Sequence, residues 1–173
     1  MSEMNIFIVD DDPAVRDSLS LLLGIQNYRV AVFSDASSFL KAYRKDWQGC
    51  VLLDIRMPGT DGLALQQKLA EMGSQLVVVI MTGHGDVASA RTAFKAAAVD
   101  FLEKPLDNKK LMSAISDAFT RLHFQKDASE QKDELDRLLG SLTPREREVK
   151  DHVVAGLHNR EIAAKLGISP RTV

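Results

Sequence analysis

Five short apolar runs constrain this chain more than any other feature: Ile6 to Val9, Tyr28 to Phe33, Cys50 to Leu53, Leu76 to Met81 and Val99 to Leu102. They are rich in Val, Ile, Leu and Phe and mostly do not alternate with polar residues. A strand with one wet face alternates, whereas a strand covered on both faces does not, so the runs predict a parallel sheet. Helical spacing separates them. Val15, Leu19, Leu22 and Leu23 share one helical face after the first run, as do Leu65, Leu69 and Met72 after the third, and Val87, Ala90, Phe94 and Ala97 after the fourth. Strands alternating with helices make a βα repeat. The expected fold class is therefore α/β, a doubly wound five-stranded parallel sheet.

The last helix of this domain is predicted to begin near Asp107, with Leu111, Ile115, Ala118 and Leu122 on its packed face. That spacing also makes a short heptad seam, but the seam fades after Leu122, where Gln125 to Asp136 is nearly all polar and contains no Gly or Pro. The expectation is a solvated helical connector over 125–140 rather than a dimeric coiled coil. From Ser141 the punctuation is helical again. Thr143-Pro144-Arg145-Glu146 offers a cap, a proline at the first helical position and a capping-box glutamate. Gly156 sits where that helix would stop. A second helix runs through Glu161, Ile162, Ala163 and Leu166 to a turn at Gly167-Ile168, and Ser169-Pro170-Arg171 reads as the cap and start of a third. The expected division is thus residues 1–124, 125–140 and 141–173.

Charge and cysteine content narrow the function classes. The 173 residues carry a formal net charge of −2, which argues against a purely electrostatic nucleic-acid binder. Residues 141–173 are nonetheless mildly basic, with Arg145, Arg147, Lys150, Arg160, Lys165 and Arg171 against Glu146, Glu148, Asp151 and Glu161. A single cysteine, Cys50, excludes an intramolecular disulfide framework and suits a reducing compartment. The N-terminus lacks the basic region of a signal peptide, and no apolar run is long enough to span a bilayer. A cytoplasmic protein without a membrane partner is expected.

The residues that carry chemistry lie at strand ends. Asp10, Asp11 and Asp12 follow the first run and Asp54 follows the third. Open parallel sheets bind ligands beyond the carboxyl ends of their strands, where the strand order reverses. If the first and third strands flank that point, these carboxylates converge. Two such charges ~4 Å apart repel by roughly 4 kcal/mol at an effective dielectric of ~20. A bound cation resolves the conflict, and a few hard oxygen ligands suit Mg²⁺ better than Ca²⁺ or Zn²⁺. An Asp can also attack phosphorus and hold an acyl phosphate. Lys104, before Pro105, and Thr82, at the end of the fourth run, would supply charge and a hydroxyl to the phosphoryl oxygens.

Residues 1 to about 124 resemble the receiver domain of two-component response regulators, which has a flavodoxin-like fold. The resemblance rests on Ile8-Val9-Asp10-Asp11-Asp12, Leu53-Asp54-Ile55-Arg56-Met57-Pro58-Gly59, Met81-Thr82-Gly83-His84-Gly85 and Phe101-Leu102-Glu103-Lys104-Pro105. It implies that Asp54 accepts a phosphoryl group from a sensor histidine kinase. It implies that Asp10 and Asp11, with Asp54 and the main chain of Arg56, hold Mg²⁺, that Lys104 contacts the phosphoryl group, and that the bond before Pro105 is cis. Thr82 and Phe101 match the family's switch pair: Thr82 moves toward the phosphoryl group and the Phe101 ring enters the space it leaves.

Residues 142–173 resemble the start of a LuxR-type helix-turn-helix domain, through Leu142-Thr143-Pro144-Arg145-Glu146-Arg147-Glu148-Val149 and Asn159-Arg160-Glu161-Ile162-Ala163-Ala164-Lys165-Leu166-Gly167-Ile168-Ser169. The whole chain thus resembles the NarL/FixJ group. This implies transcription regulation through DNA binding, with Ser169, Arg171 and Thr172 as the DNA-facing positions present, and a phosphorylation-dependent homodimer. His158 departs from the family pattern, which has a capping Ser or Thr there. The sequence stops at Val173, just inside the expected recognition helix, so regulation through protein contacts alone stands as the alternative.

Other readings stay open or recede. His84 could tune loss of the phosphoryl group or be an ordinary loop histidine. Arg56 could reach the phosphoryl group or be solvated. Arg91 and Lys95 share a helical face that is either a dimer contact or solvated. His123, His152 and His158 show no metal-ligand spacing with Cys50. An Asp-nucleophile phosphatase would carry D-x-D, but position 56 is Arg, and no P-loop string occurs. An enzyme is not expected.

Overall fold

The computed structural model describes residues 4–59, 61–83, 95 and 97–173. The chain divides into two compact units, Met1–Gln125 and Lys126–Val173.

The first unit is a five-stranded parallel sheet in the order β2-β1-β3-β4-β5. Its strands are β1 (Asn5–Val9), β2 (Arg29–Phe33), β3 (Cys50–Asp54), β4 (Val77–Thr82) and β5 (Asp100–Glu103). Each predicted run appears, with ends shifted by about a residue. Side chains alternate across a strand, and both faces here are apolar. Ile6, Ile8, Cys50, Leu52, Val77, Val79 and Met81 form one core with Leu19 and Leu23 and with Leu111, Ala114, Ile115, Ala118 and Phe119. Phe7, Val9, Val51, Leu53, Val78 and Ile80 form the other with Phe39, Leu65 and Leu69. Two-sided burial is why the runs do not alternate. It weakens at the edge strand β2, where Val32 is 46% exposed.

Helix starts follow local chemistry. Asp12 caps α1 (Pro13–Ile25), accepting a bond from the Ala14 N–H at 2.8 Å. Asp35 caps α2 (Ala36–Ala42) through the Ser38 N–H, and Asp61 caps α3 (Gly62–Glu71) through the Leu63 N–H. On α3, Leu65 and Leu69 are buried as expected, but Met72 is 42% exposed. Met72 is the C-cap and keeps the helical phase, with αR dihedrals and its N–H donating to the Lys68 carbonyl at 3.0 Å, so the stripe loses its cover at the helix end rather than turning away. Gln66 is buried instead. Val87, Ala90, Phe94, Arg91 and His84 lie outside the described residues; Lys95 is exposed.

The helix α4 runs from Asn108 to Gly140 without a break, and the Asp107 carboxylate receives the Lys110 N–H at its start. Its stripe Leu111, Ala114, Ile115, Ala118 and Phe119 packs on the sheet, with Leu122 half-buried beside it.

In the second unit, Thr143 and Glu146 form the expected capping box at α5 (Pro144–Val154): the Thr143 N–H donates to Glu146 at 2.7 Å and the Glu146 N–H to Thr143 at 3.3 Å. Helix α6 (Asn159–Leu166) starts at His158, whose side chain makes no capping bond; the Glu161 carboxylate alone closes that end by accepting the His158 N–H at 2.8 Å. Gly167 ends α6 in the left-handed conformation, φ 64° and ψ 34°, which a side chain would disfavour. Ile162 and Ala163 are buried, and Arg145 donates to the Leu166 carbonyl, tying α5 to the end of α6. The expected third helix is present only as a turn. Ser169 Oγ accepts the Arg171 N–H and the Ser169 carbonyl accepts the Thr172 N–H at 2.8 Å, so the capping chemistry is there but no helical ladder follows it.

Candidate functional site

Topology alone brings the predicted carboxylates together. β1 and β3 are neighbours, while the chain leaves β1 toward β2 on one side and β3 toward β4 on the other. The strand order therefore reverses at the crevice between their carboxyl ends. Asp10 follows β1 directly, and Asp54 is the last residue of β3. One oxygen each of Asp10, Asp11 and Asp54 lies within 4.8 Å of the others, a grouping able to hold a metal ion. Asp12 takes no part, being committed to the α1 cap.

The individual carboxylates are fixed in different ways. Asp10 is fully buried and Asp54 nearly so, whereas Asp11 is exposed. Asp10 Oδ1 accepts the Asp12 N–H at 2.9 Å, and Asp54 Oδ1 accepts the Arg56 N–H at 3.0 Å. Each thus leaves Oδ2 for Lys104, whose Nζ lies 2.6 Å from Asp10 Oδ2 and 2.9 Å from Asp54 Oδ2. Burial pushes the Asp10 carboxyl above its ordinary range, against the Lys104 bond and the Asp12 amide, which lower it. Burial acts to lower Lys104 as well, but its bonds to Asp10 and Asp54 outweigh this and raise it. The ammonium thus stays charged between two buried acids. Three carboxylates against one lysine still leave the crevice with excess negative charge, and all its donor atoms are hard oxygens, a set that fits a hard divalent cation.

The lysine is delivered by β5. The Lys104 N–H donates to the Thr82 carbonyl at 2.6 Å, and the Lys104–Pro105 peptide is cis, as expected. Thr82 lies one residue beyond Met81, the register partner of Asp54. Its hydroxyl is buried and has no hydrogen-bond partner among the described residues. Such an orphan costs about 1–3 kcal/mol. Phe101, half-buried, pairs in register with Ile80 and packs on the same core as Leu53. Arg56 lines a surface groove with Asp11, Met57, Pro58 and Asp61.

Two further residues shape the site without having been evident in the sequence. Arg16, on α1, donates to the Asp10 carbonyl at 2.7 Å and steadies the loop that carries the acidic pair. Gly62 opens α3 against the main chain of β3: a Cβ there would stand 2.9 Å from both the Asp54 carbonyl carbon and the Ile55 Cα. An Asp-Gly pair after the third run is the only local signal of that approach. In the second unit, Ser169, Arg171 and Thr172 are all exposed and cluster at the turn after α6.

Comparison with known proteins agrees with this geometry. Residues 6–116 match the response regulator receiver domain, and residues 140–173 match the luxR family of bacterial regulatory proteins. The chain belongs to the two-component response regulators. Its pairing of a receiver with a luxR-type output segment is that of the NarL/FixJ group. It is 41% identical over 169 residues to the transcriptional regulatory protein FixJ of Bradyrhizobium diazoefficiens, covering 98% of this chain and 82% of the relative. It is 42% identical over 171 residues to the response regulator protein TmoT of Ectopseudomonas mendocina, covering 99% and 78%. Among solved structures, the response regulator StyR matches with a TM-score of 0.83 at 38% identity, over 99% of this chain and 86% of that one. Full-length FixJ from B. japonicum matches with a TM-score of 0.68 at 41% identity, over 99% and 85%. Among the described residues no helix is long and apolar enough to cross a membrane.

Proposed function

We propose that Asp54 accepts a phosphoryl group from the phosphohistidine of a sensor histidine kinase, and that its phosphorylation state controls transcription through the luxR-type segment. The observation that carries this reading is the polarisation of Asp54: Oδ1 is held by the Arg56 N–H, while Oδ2 faces Lys104 at 2.9 Å in the crevice. A carboxylate oxygen of Asp54 forms the new O–P bond as the bond from phosphorus to the kinase imidazole nitrogen breaks, and the electron pair leaves with that nitrogen. Lys104 then shifts its hydrogen bonds onto a phosphoryl oxygen. Asp10, Asp11, Asp54 and the Arg56 main chain would hold Mg²⁺, which when bound supplies positive charge to phosphoryl oxygens. The orphaned Thr82 hydroxyl gains an acceptor, and its inward movement makes room for the Phe101 ring.

Downstream, phosphorylation favours a homodimer, and dimers match two half-sites on DNA. Ser169, Arg171 and Thr172 lie on the DNA-facing side of the segment in this reading. The chemistry is stoichiometric signalling in the cytoplasm rather than enzymatic turnover. Intact-protein mass after incubation with Mg²⁺ and acetyl phosphate tests the first step. Wild type should gain one hydroxylamine-labile phosphoryl group and Asp54→Ala none; an unmodified wild type, under conditions that modify a control receiver, would sink the mechanism.

A further inference from the structure

The stripe of α4 that packs on the sheet ends at Leu122, and a second apolar stripe begins at once. Phe124, Leu135 and Leu138 are 70%, 55% and 54% exposed, large apolar side chains left in water by a single helix. With Ala128 and Gln131 they are spaced four, three, four and three residues apart along α4. At 3.6 residues per turn these five positions fall within a band about 80° wide. That spacing is a heptad seam, with Ala128 and Leu135 at one core position and Phe124, Gln131 and Leu138 at the other.

Charges flank the seam in a complementary way. In a parallel two-stranded coiled coil, the residue before one core position lies beside the residue five further along the opposing helix. Here those residues are Asp127 and Lys132, of opposite sign, and the two-fold axis makes the pair occur twice. Neither forms an ion pair with any described residue of its own chain, whereas the outward-facing Lys126 and Glu130 pair with each other, and Glu134, which flanks the seam before Leu135, pairs with Arg137 of its own helix. Gln131 places one polar group in the seam, a device that fixes register rather than adding stability.

We propose that a second copy of this chain docks along Phe124–Leu138 as a parallel, in-register coiled coil, with Asp127 of each copy beside Lys132 of the other. The segment spans about two heptads, roughly 21 Å at 1.5 Å per residue. Two heptads bury too little surface to hold a dimer alone, so the seam aligns copies that a further contact brings together. This inference rests on the homodimer of the proposed function, but not on phosphoryl transfer at Asp54.

The test uses the full chain, with and without Mg²⁺ and acetyl phosphate. Sedimentation equilibrium gives the dimer dissociation constant, and disulfide trapping reads the geometry. Leu138→Cys faces its own copy across the seam and should cross-link faster than Asp133→Cys on the outer side of the helix. Cys50 is fully buried and does not compete. Asp127→Lys and Lys132→Asp should each weaken the dimer about fivefold, and the double reversal should restore it. A dimer with equal cross-linking at both positions, or with no rescue by the double reversal, overturns the seam and leaves dimerisation standing. A chain that stays monomeric in every condition overturns both.

Discussion

Lys104 is the only cation bonded to the buried carboxylates of the crevice among the described residues, so its removal tests whether charge governs the site. In Lys104→Met the aliphatic stem survives and the ammonium is lost. The Asp10 and Asp54 oxygens then face each other within 4.8 Å with no counterion. At an effective dielectric of ~20, two unit charges at that separation repel by roughly 3.5 kcal/mol. Part of this is relieved by proton uptake, since burial already lifts the Asp10 carboxyl. The expected destabilisation in EDTA at neutral pH is about 2–3 kcal/mol. Trp47 is the sole tryptophan and stacks on Phe7, so its fluorescence follows urea unfolding of the first unit alone. Millimolar Mg²⁺ should restore most of the loss, and lowering the pH should shrink it as the Asp10 carboxyl, raised by burial, takes up a proton. In an Asp54→Asn background the cost of Lys104→Met should fall by more than half. An equal cost in both backgrounds would refute the electrostatic account and leave Lys104 acting through the packing of its stem.

Three smaller predictions probe other parts of the chain. Gly62→Ala should lower stability by about 2 kcal/mol in the same urea assay, because its Cβ meets main-chain atoms of Asp54 and Ile55 that cannot move aside cheaply. Thr143→Ala should remove about 1 kcal/mol from α5, read as faster hydrogen exchange of the Glu146 amide. Burial pushes the Cys50 thiol up to about 12 from 9.0, so native protein should resist thiol reagents at pH 8 until it unfolds. The same shift sets a sign. Between pH 9.0 and about 12 the unfolded chain ionises first, and stability should fall with rising pH by up to about 1.4 kcal/mol per unit.

The sheet was legible because its strands are buried on both faces, which leaves continuous apolar runs such as Cys50 to Leu53. The crevice was legible because each candidate residue ends a strand or directly follows one, so Asp10, Asp54, Thr82 and Lys104 needed only the strand order to meet. What escaped depends on contacts that sequence does not encode locally. Helix α2 carries two serines and a single buried aromatic, Phe39, and Asp35 was its only clear start signal. Arg16 reads as an ordinary helical arginine until α1 is docked over the end of β1. Phe124, Leu135 and Leu138 look scattered in a polar stretch until one unbroken helix aligns them. The helical period places Met72 on the stripe of Leu65 and Leu69 but does not tell where along the helix the cover ends.

The resting crevice is incomplete in two ways, and the two are filled from different sources. Its charge is unbalanced, with Asp10, Asp11 and Asp54 against Lys104, and a cation corrects that. Its hydrogen bonding is unbalanced at Thr82 among the described residues, and in the proposed mechanism an acceptor arriving near Asp54 corrects that. A cation alone leaves the Thr82 hydroxyl orphaned, so in the proposed mechanism it prepares the site without throwing the switch. The Thr82 bond is worth about 1–3 kcal/mol, which moves a two-state equilibrium by roughly 5- to 150-fold. The upper end of that range suffices to reverse a resting preference of a few tens to one. It falls short of the ~10⁴-fold bias needed to carry a population from 1:99 to 99:1. The remainder must come from contacts made only in the active state, and association with a second copy is a source of such energy that rises with concentration.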